Sequence, residues 1–215
     1  MPMDGIAVVA DVKGSRRHGD REAWAAQLRL ALREVNRRHR ADLLGAFDVS
    51  KGVDEFAGLL RPDARVGRVL WTLLVGLHPV PVRVSLVGGA LDVAPRRGRA
   101  MPSARLFDGP AFHQAARGLE EAHAAGRLVV LAPRTPDAVA LEHVANLLYA
   151  TTLAWTPRQL ALFQTYLEFR SQTKVARLHR VSQPTVSQAL MRIRAKLVAQ
   201  SVDFFRENAP WGNAP

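Results

Sequence analysis

Apolar positions along this chain switch between two periods. Residues 5–12, GIAVVADV, form a short apolar run closing on Asp11 and followed by a Gly14-Ser15 break, which predicts a buried strand. From Asp20 the spacing becomes helical: Trp24, Leu28, Leu32 and Val35 recur every three or four residues with arginines between them, predicting a helix to about Leu44. In AFDVSKGVDEFAGLL apolar residues flank a polar, glycine-containing centre, so two strands around a tight turn at Gly52 to Glu55 are expected. A helix over 62–77, opened by Pro-Asp and broken by His78-Pro79, and a strand in PVRVSLVGGALDV come next.

The stretch APRRGRAMPSARLFDG has clustered arginine and no apolar period, and is read as an exposed loop, with Arg96 to Arg99 solvated. A helix then runs to a stop at Gly126, RLVVLA supplies another strand, and 137–153 is helical, entered through Thr135-Pro136-Asp137. Trp24 and Trp71 are expected in the core. No strand signal remains after Trp155, which places a boundary near Ala154: an α/β domain over 1–153, a helical domain over 154–206, and a polar tail over 207–215.

The helical part has internal order. WTPRQLALFQTYLEF carries a Thr156 cap, Pro157 at the first helical position, and Leu160, Phe163 and Leu167 on one face. SQTKVARLHRVSQPTVSQALMRIRAKL then divides into a short helix with Val175, Ala176 and Leu178, a turn at His179 to Val181, and a longer helix started by Ser182 and anchored by Val186 and Leu190. This helix-turn-helix layout leaves Gln183, Thr185, Ser187, Gln188 and Arg192 free to hydrogen-bond base edges or phosphates. Lys174, Arg177, Arg180, Arg194 and Lys196 are expected to clamp phosphates, which position the module without reading sequence. A helical hairpin with a solvated basic face is the alternative.

Charge bears on the partner. The 215 residues carry a formal +11, which attracts polyanions through phosphate contacts, although an arginine- and alanine-rich composition alone gives the same value. The absence of cysteine excludes disulfides, thiol nucleophiles and thiolate metal sites. No run of some 18 apolar residues and no signal peptide is seen, so the expectation is a cytoplasmic protein with no membrane partner. Asp11 at a strand end and Asp54 at the hairpin turn, beside Glu55, are the carboxylates that folding would have to join for Mg²⁺; solvated or capping roles are the alternative.

VSQPTVSQALMRIRAKL resembles the recognition helix of the LuxR and sigma-region-four class, with Arg180 standing where such turns carry glycine. The strings VVADVKGSRR, VDEFAGLL and DGPAFHQAARGLEEA resemble the SatD family of bacterial proteins over nearly the whole chain and, more distantly, class III nucleotide cyclases. The resemblance implies an α+β fold: a ferredoxin-like, nucleotide-cyclase-like α/β sandwich followed by an all-α helix-turn-helix domain. It also implies Asp11 and Asp54 as a metal pair for Mg²⁺ with a nucleotide, and Arg117 as a phosphate clamp. His113 stands where cyclases carry asparagine, Val53 where both families carry glycine, and Lys51 is off the spacing of the base-selecting lysine.

The function expected is a sequence-specific, double-stranded-DNA-binding transcription regulator, homodimeric and requiring no cofactor. Its amino-terminal domain would dimerise or sense a nucleotide effector. Two alternatives stay open: a Mg- or Mn-dependent nucleotidyl cyclase or nucleotide-processing enzyme coupled to the DNA-binding module, and an adaptor docking on RNA polymerase.

Overall fold

The computed structural model describes residues 3–12, 21–52, 54–94 and 100–208. Five strands, β1 (Met3–Val12), β2 (Leu43–Lys51), β3 (Glu55–Leu60), β4 (Val82–Leu91) and β5 (Val129–Ala132), form one sheet in the order β2-β3-β1-β4-β5. The first four pair antiparallel and β5 lies parallel to β4. Helices α1 (Arg21–Arg38) and α2 (Val66–Leu77) complete a β-α-β-β-α-β sequence, and α3 (Pro110–Ala124) and α4 (Pro136–Leu153) frame β5.

β1 is apolar at nearly every position because it is central and covered on both faces. Ile6, Val8, Ala10 and Val12 point into the large core beneath α1 and α2. Ala7 points the other way and packs with Ala57, Leu59 and Val87 against Ala111 and Ala115 of α3. Small residues bring α3 down onto the sheet: any side chain at Gly118 would collide with the buried Ser85 hydroxyl. Behind β5, the buried Glu142 of α4 accepts from the Leu131 N–H at 2.8 Å and from Arg127 at 2.9 Å. Burial pushes the Tyr149 phenol up, and its oxygen accepts from the Val82 N–H at 2.8 Å.

Helices α5 (Pro157–Phe169), α6 (Gln172–His179), α7 (Gln183–Arg192) and α8 (Ala195–Glu207) follow. The core beneath α1 and α2 continues into them without a gap, through Trp71, Trp155, Phe163 and Phe205. Phe163 meets the rings of Trp155 and Trp71 edge-on, at 4.9 and 6.3 Å between centroids. Trp24 and Trp71 are both buried, as expected of core aromatics.

Several boundaries differ from the sequence reading. α1 stops at Arg38, because His39 turns inward to share a 2.8 Å hydrogen bond with Thr72 and the chain enters β2 at Leu43. α2 starts at Val66, not Pro62: Asp42 takes the N–H groups of Arg61 and Arg65, on its carbonyl and carboxylate respectively, which holds the preceding residues in a turn. The loop after β4 is pinned where it is described. Ala104 and Phe107 are buried and Ser103 donates to Asp48, whereas residues 95–99, with Arg96 to Arg99, lie outside the described residues. The long helix expected from Ser182 breaks after Arg192, where Ile193 turns into the core and Arg194 takes left-handed φ of 53°. Among the described residues no helix is long and apolar enough to cross a membrane.

Candidate nucleic-acid interface

Each helix of the carboxy-terminal half starts on a residue suited to the task, α8 excepted. Thr156 and Gln159 close a capping box at α5, at 3.2 and 2.9 Å. Ser171 and Ser182 each accept from the third backbone N–H beyond them, at 3.3 Å, opening α6 and α7. Between these two helices Arg180 sits at φ 53°, and the N–H of Val181 returns to the carbonyl of Ala176 at 3.0 Å. This is the left-handed helix stop usually made by glycine, here carried by arginine. Val175, Ala176, Val186 and Leu190 are buried where α6 and α7 meet, and Thr165 on α5 shares a 2.8 Å hydrogen bond with His179.

With Val186 and Leu190 turned in, Gln183, Thr185, Gln188 and Arg192 are exposed on α7 and Ser187 is half-buried. Ser182 is spent on the cap and also shares a 2.8 Å hydrogen bond with the Thr185 hydroxyl. Gln183 donates to Gln172 at 2.9 Å, a bond across the helix pair that the linear spacing does not reveal. Lys174, Arg177, Arg180, Arg194 and Lys196 are all exposed, with Lys174 lying 5.1 Å over the Phe169 ring. From Gln172 to Gln200 the chain holds six Lys and Arg and not one carboxylate. The nearest ion pairs, Arg170 with Asp203 and Arg68 with Glu207, involve none of the six.

The carboxylates of the amino-terminal half have a different setting. Asp11 lies in register with Glu55 on β3 and Arg83 on β4, and Arg83 approaches its carboxylate at 3.4 Å. Burial raises the Asp11 pKa, Arg83 opposes that shift, and one carboxylate oxygen is buried without a partner among the described residues. Asp54 is half-buried and offers its carbonyl to Val12. His113 and Arg117 point to solvent from α3, His113 toward Asp108 at 3.1 Å. The residue of α3 that influences Asp11 is His123, ten residues further on and thus about 15 Å along the helix from His113. Among the described residues no group of three His, Asp or Glu is placed to hold a metal ion. The Arg83 guanidinium already lies beside one oxygen of the Asp11 carboxylate.

The sequence reading missed a second concentration of charge. Arg38, Arg65, Arg68 and Arg206 line a cleft of about 700 Å³ where α1 and α2 face α5 and α8. No local spacing announces it, since its residues come from four separate helices or their ends.

No curated protein matches the chain. Among solved structures, a bacterial light-regulated adenylyl cyclase aligns with 61% of this chain and 76% of its own, at 10% identity and a TM-score of 0.44. The guanylyl cyclase Cya2 aligns with 56% and 71%, at 10% identity and 0.36. A regulator of polyketide synthase expression from Bifidobacterium adolescentis aligns with 95% and 85%, at 15% identity and 0.30. These scores are too low to carry fold or activity across. The SatD family, in contrast, matches residues 5–198, spanning the sheet, its helices and most of the carboxy-terminal segment, and the chain belongs to that family.

Proposed function

We propose that this protein is a DNA-binding transcription regulator in which α6 and α7 act as a helix-turn-helix. The observation that carries this reading is the carboxylate-free run from Gln172 to Gln200, whose six cations lie exposed around a helix with an outward polar face. A helix so framed suits a major groove, where glutamine pairs with adenine and arginine with guanine. Gln183, Thr185, Ser187, Gln188 and Arg192 read base edges, and Ser182 holds the amino end of α7 in shape. Lys174, Arg177, Arg180, Arg194 and Lys196 hold phosphates on either side. The protein acts as a homodimer, whose two-fold symmetry places two α7 helices on the half-sites of a palindrome.

Fluorescence anisotropy of the full-length protein, with the duplex upstream of its own gene and with a scrambled duplex at two salt concentrations, tests the reading. Preference for the upstream duplex that is lost in Gln188→Ala, with the fold intact by circular dichroism, is the expected result. Equal binding of both duplexes that vanishes with salt would leave only generic charge attraction and overturn it.

A further inference from the structure

The cleft between α1 and α2 on one side and α5 and α8 on the other has an unusual balance of hydrogen-bonding groups. Four of its residues carry a buried N–H with no acceptor among the described residues: Arg68 Nε, Arg206 Nε, Trp71 Nε1 and Gln164 Nε2. All four are donors and none is an acceptor. Trp71 is only 6% exposed and its indole N–H is donor-only, so nothing but an acceptor can satisfy it. Buried polar groups are almost always paired, and four unpartnered donors with no unpartnered acceptor among its lining residues bias the cleft toward an acceptor-rich occupant.

Charge points the same way. Arg38 and Arg68 are paired with Glu34 and Glu207, which lie outside the cleft lining, whereas Arg65 and Arg206 have no carboxylate within ion-pair distance among the described residues. The two carboxylates of the lining are Asp42, already engaged by the Arg65 backbone N–H, and the exposed Glu168. At about 700 Å³ the cleft falls within the range of about 300–1,000 Å³ typical of small-molecule sites.

We propose that this cleft is a binding site for a small phosphate-bearing molecule, seated on Arg65 and Arg206 and accepting from the Trp71 and Gln164 N–H groups. A phosphate group has acceptor oxygens on every side and matches planar guanidinium donors two at a time. Because the cleft walls belong to different layers of the molecule, the ligand ties the carboxy-terminal helices to α1 and α2. The binding itself does not depend on the DNA-binding reading, and its test contains no DNA.

Isothermal titration calorimetry and thermal unfolding of the full-length protein with pyrophosphate, ATP, GTP and citrate test the proposal. Saturable binding of at least one phosphate compound is expected, with a melting temperature raised by about 5–10 °C at a hundredfold excess over Kd. Arg65→Gln and Arg206→Gln should each weaken it at least tenfold. Glu168→Gln, which removes a repelling carboxylate, should tighten it a few fold, so the proposal does not rest on loss of function alone. Arg105→Gln, exposed and outside the cleft, should leave it unchanged. Absence of binding by every phosphate compound, binding of citrate alone, or equal weakening by Arg105→Gln would each overturn the proposal.

Discussion

Gly67 on α2 lies so close beneath α8 that the carbonyl oxygen of Phe205 occupies the space a side chain there would need. The contact is backbone against backbone, so neither partner can yield by changing rotamer. Gly67→Ala is therefore expected to push α8 away and cost about 1–3 kcal/mol, the usual range for overpacking. A lowered urea midpoint checks it; an unchanged midpoint would show that α8 rides more loosely on α2.

Glu142 gives a second stability prediction. Its carboxylate is buried and holds the Leu131 N–H of β5 together with Arg127 and Arg134. Both arginines are partly exposed and recover hydration when the carboxylate is lost, which reduces the expected penalty for Glu142→Ala to about 2–3 kcal/mol, below the full range for a buried pair. Hydrogen exchange should show the loss first as faster exchange of the β5 amides.

Burial holds the His39 imidazole below its ordinary 6.5, with Asp42 pulling the other way and Arg38 and Arg206 deepening the depression. The unfolded chain thus takes up a proton that the folded ring resists. The stability contributed by the neutral ring is complete above about pH 6.5 and is lost as pH falls from there toward the folded value. Urea unfolding at several pH values between about 7.5 and 5 should show that fall, and His39→Gln should flatten it.

Arg180 combines a strained backbone with a proposed phosphate contact. Relieving φ of 53° by Arg180→Gly is expected to leave stability unchanged or raise it by up to about 1 kcal/mol, since glycine's greater unfolded freedom offsets part of the relief. DNA affinity should fall at the same time. A variant that loses stability and affinity together would show the arginine side chain to be structural.

If Lys174, Arg177, Arg180, Arg194 and Lys196 meet phosphates in both protomers of the dimer, the logarithm of DNA affinity should fall against the logarithm of salt with a slope of about −9. Lys174→Ala and Lys196→Ala should each reduce that slope by about two, one per protomer, without changing sequence preference.

Much of this architecture is legible in the linear pattern, and the failures have physical causes. β1 and β5 announce themselves because a strand covered on both faces is apolar at successive positions. The caps at Thr156 and Ser182 are local chemistry, so α5 and α7 begin on residues that mark their own role. The break after Arg192 is hidden, because Val186, Leu190, Ile193 and Val198 keep a nearly helical spacing across it and a single left-handed arginine leaves the pattern intact. Ala104 and Phe107 are buried in a stretch with no period, held by their packing against Gly45 and its neighbours rather than by any repeat. The arginine cleft was invisible for a different reason. Arg38 and Arg206 are brought together only by tertiary packing, and each alone reads as a solvated surface charge.

The unbroken core has a consequence for how the protein is made. α2 and α4 pack against α8, yet 130 residues separate Leu77 from Glu207, a delay of about 6 to 26 s at ordinary rates of translation. During that interval the apolar flank of α2 has left the ribosome and its cover has not been synthesised. The nascent chain is thus most vulnerable to wrong association late in translation, and premature termination before α8 yields a product with a sticky flank rather than a smaller working protein.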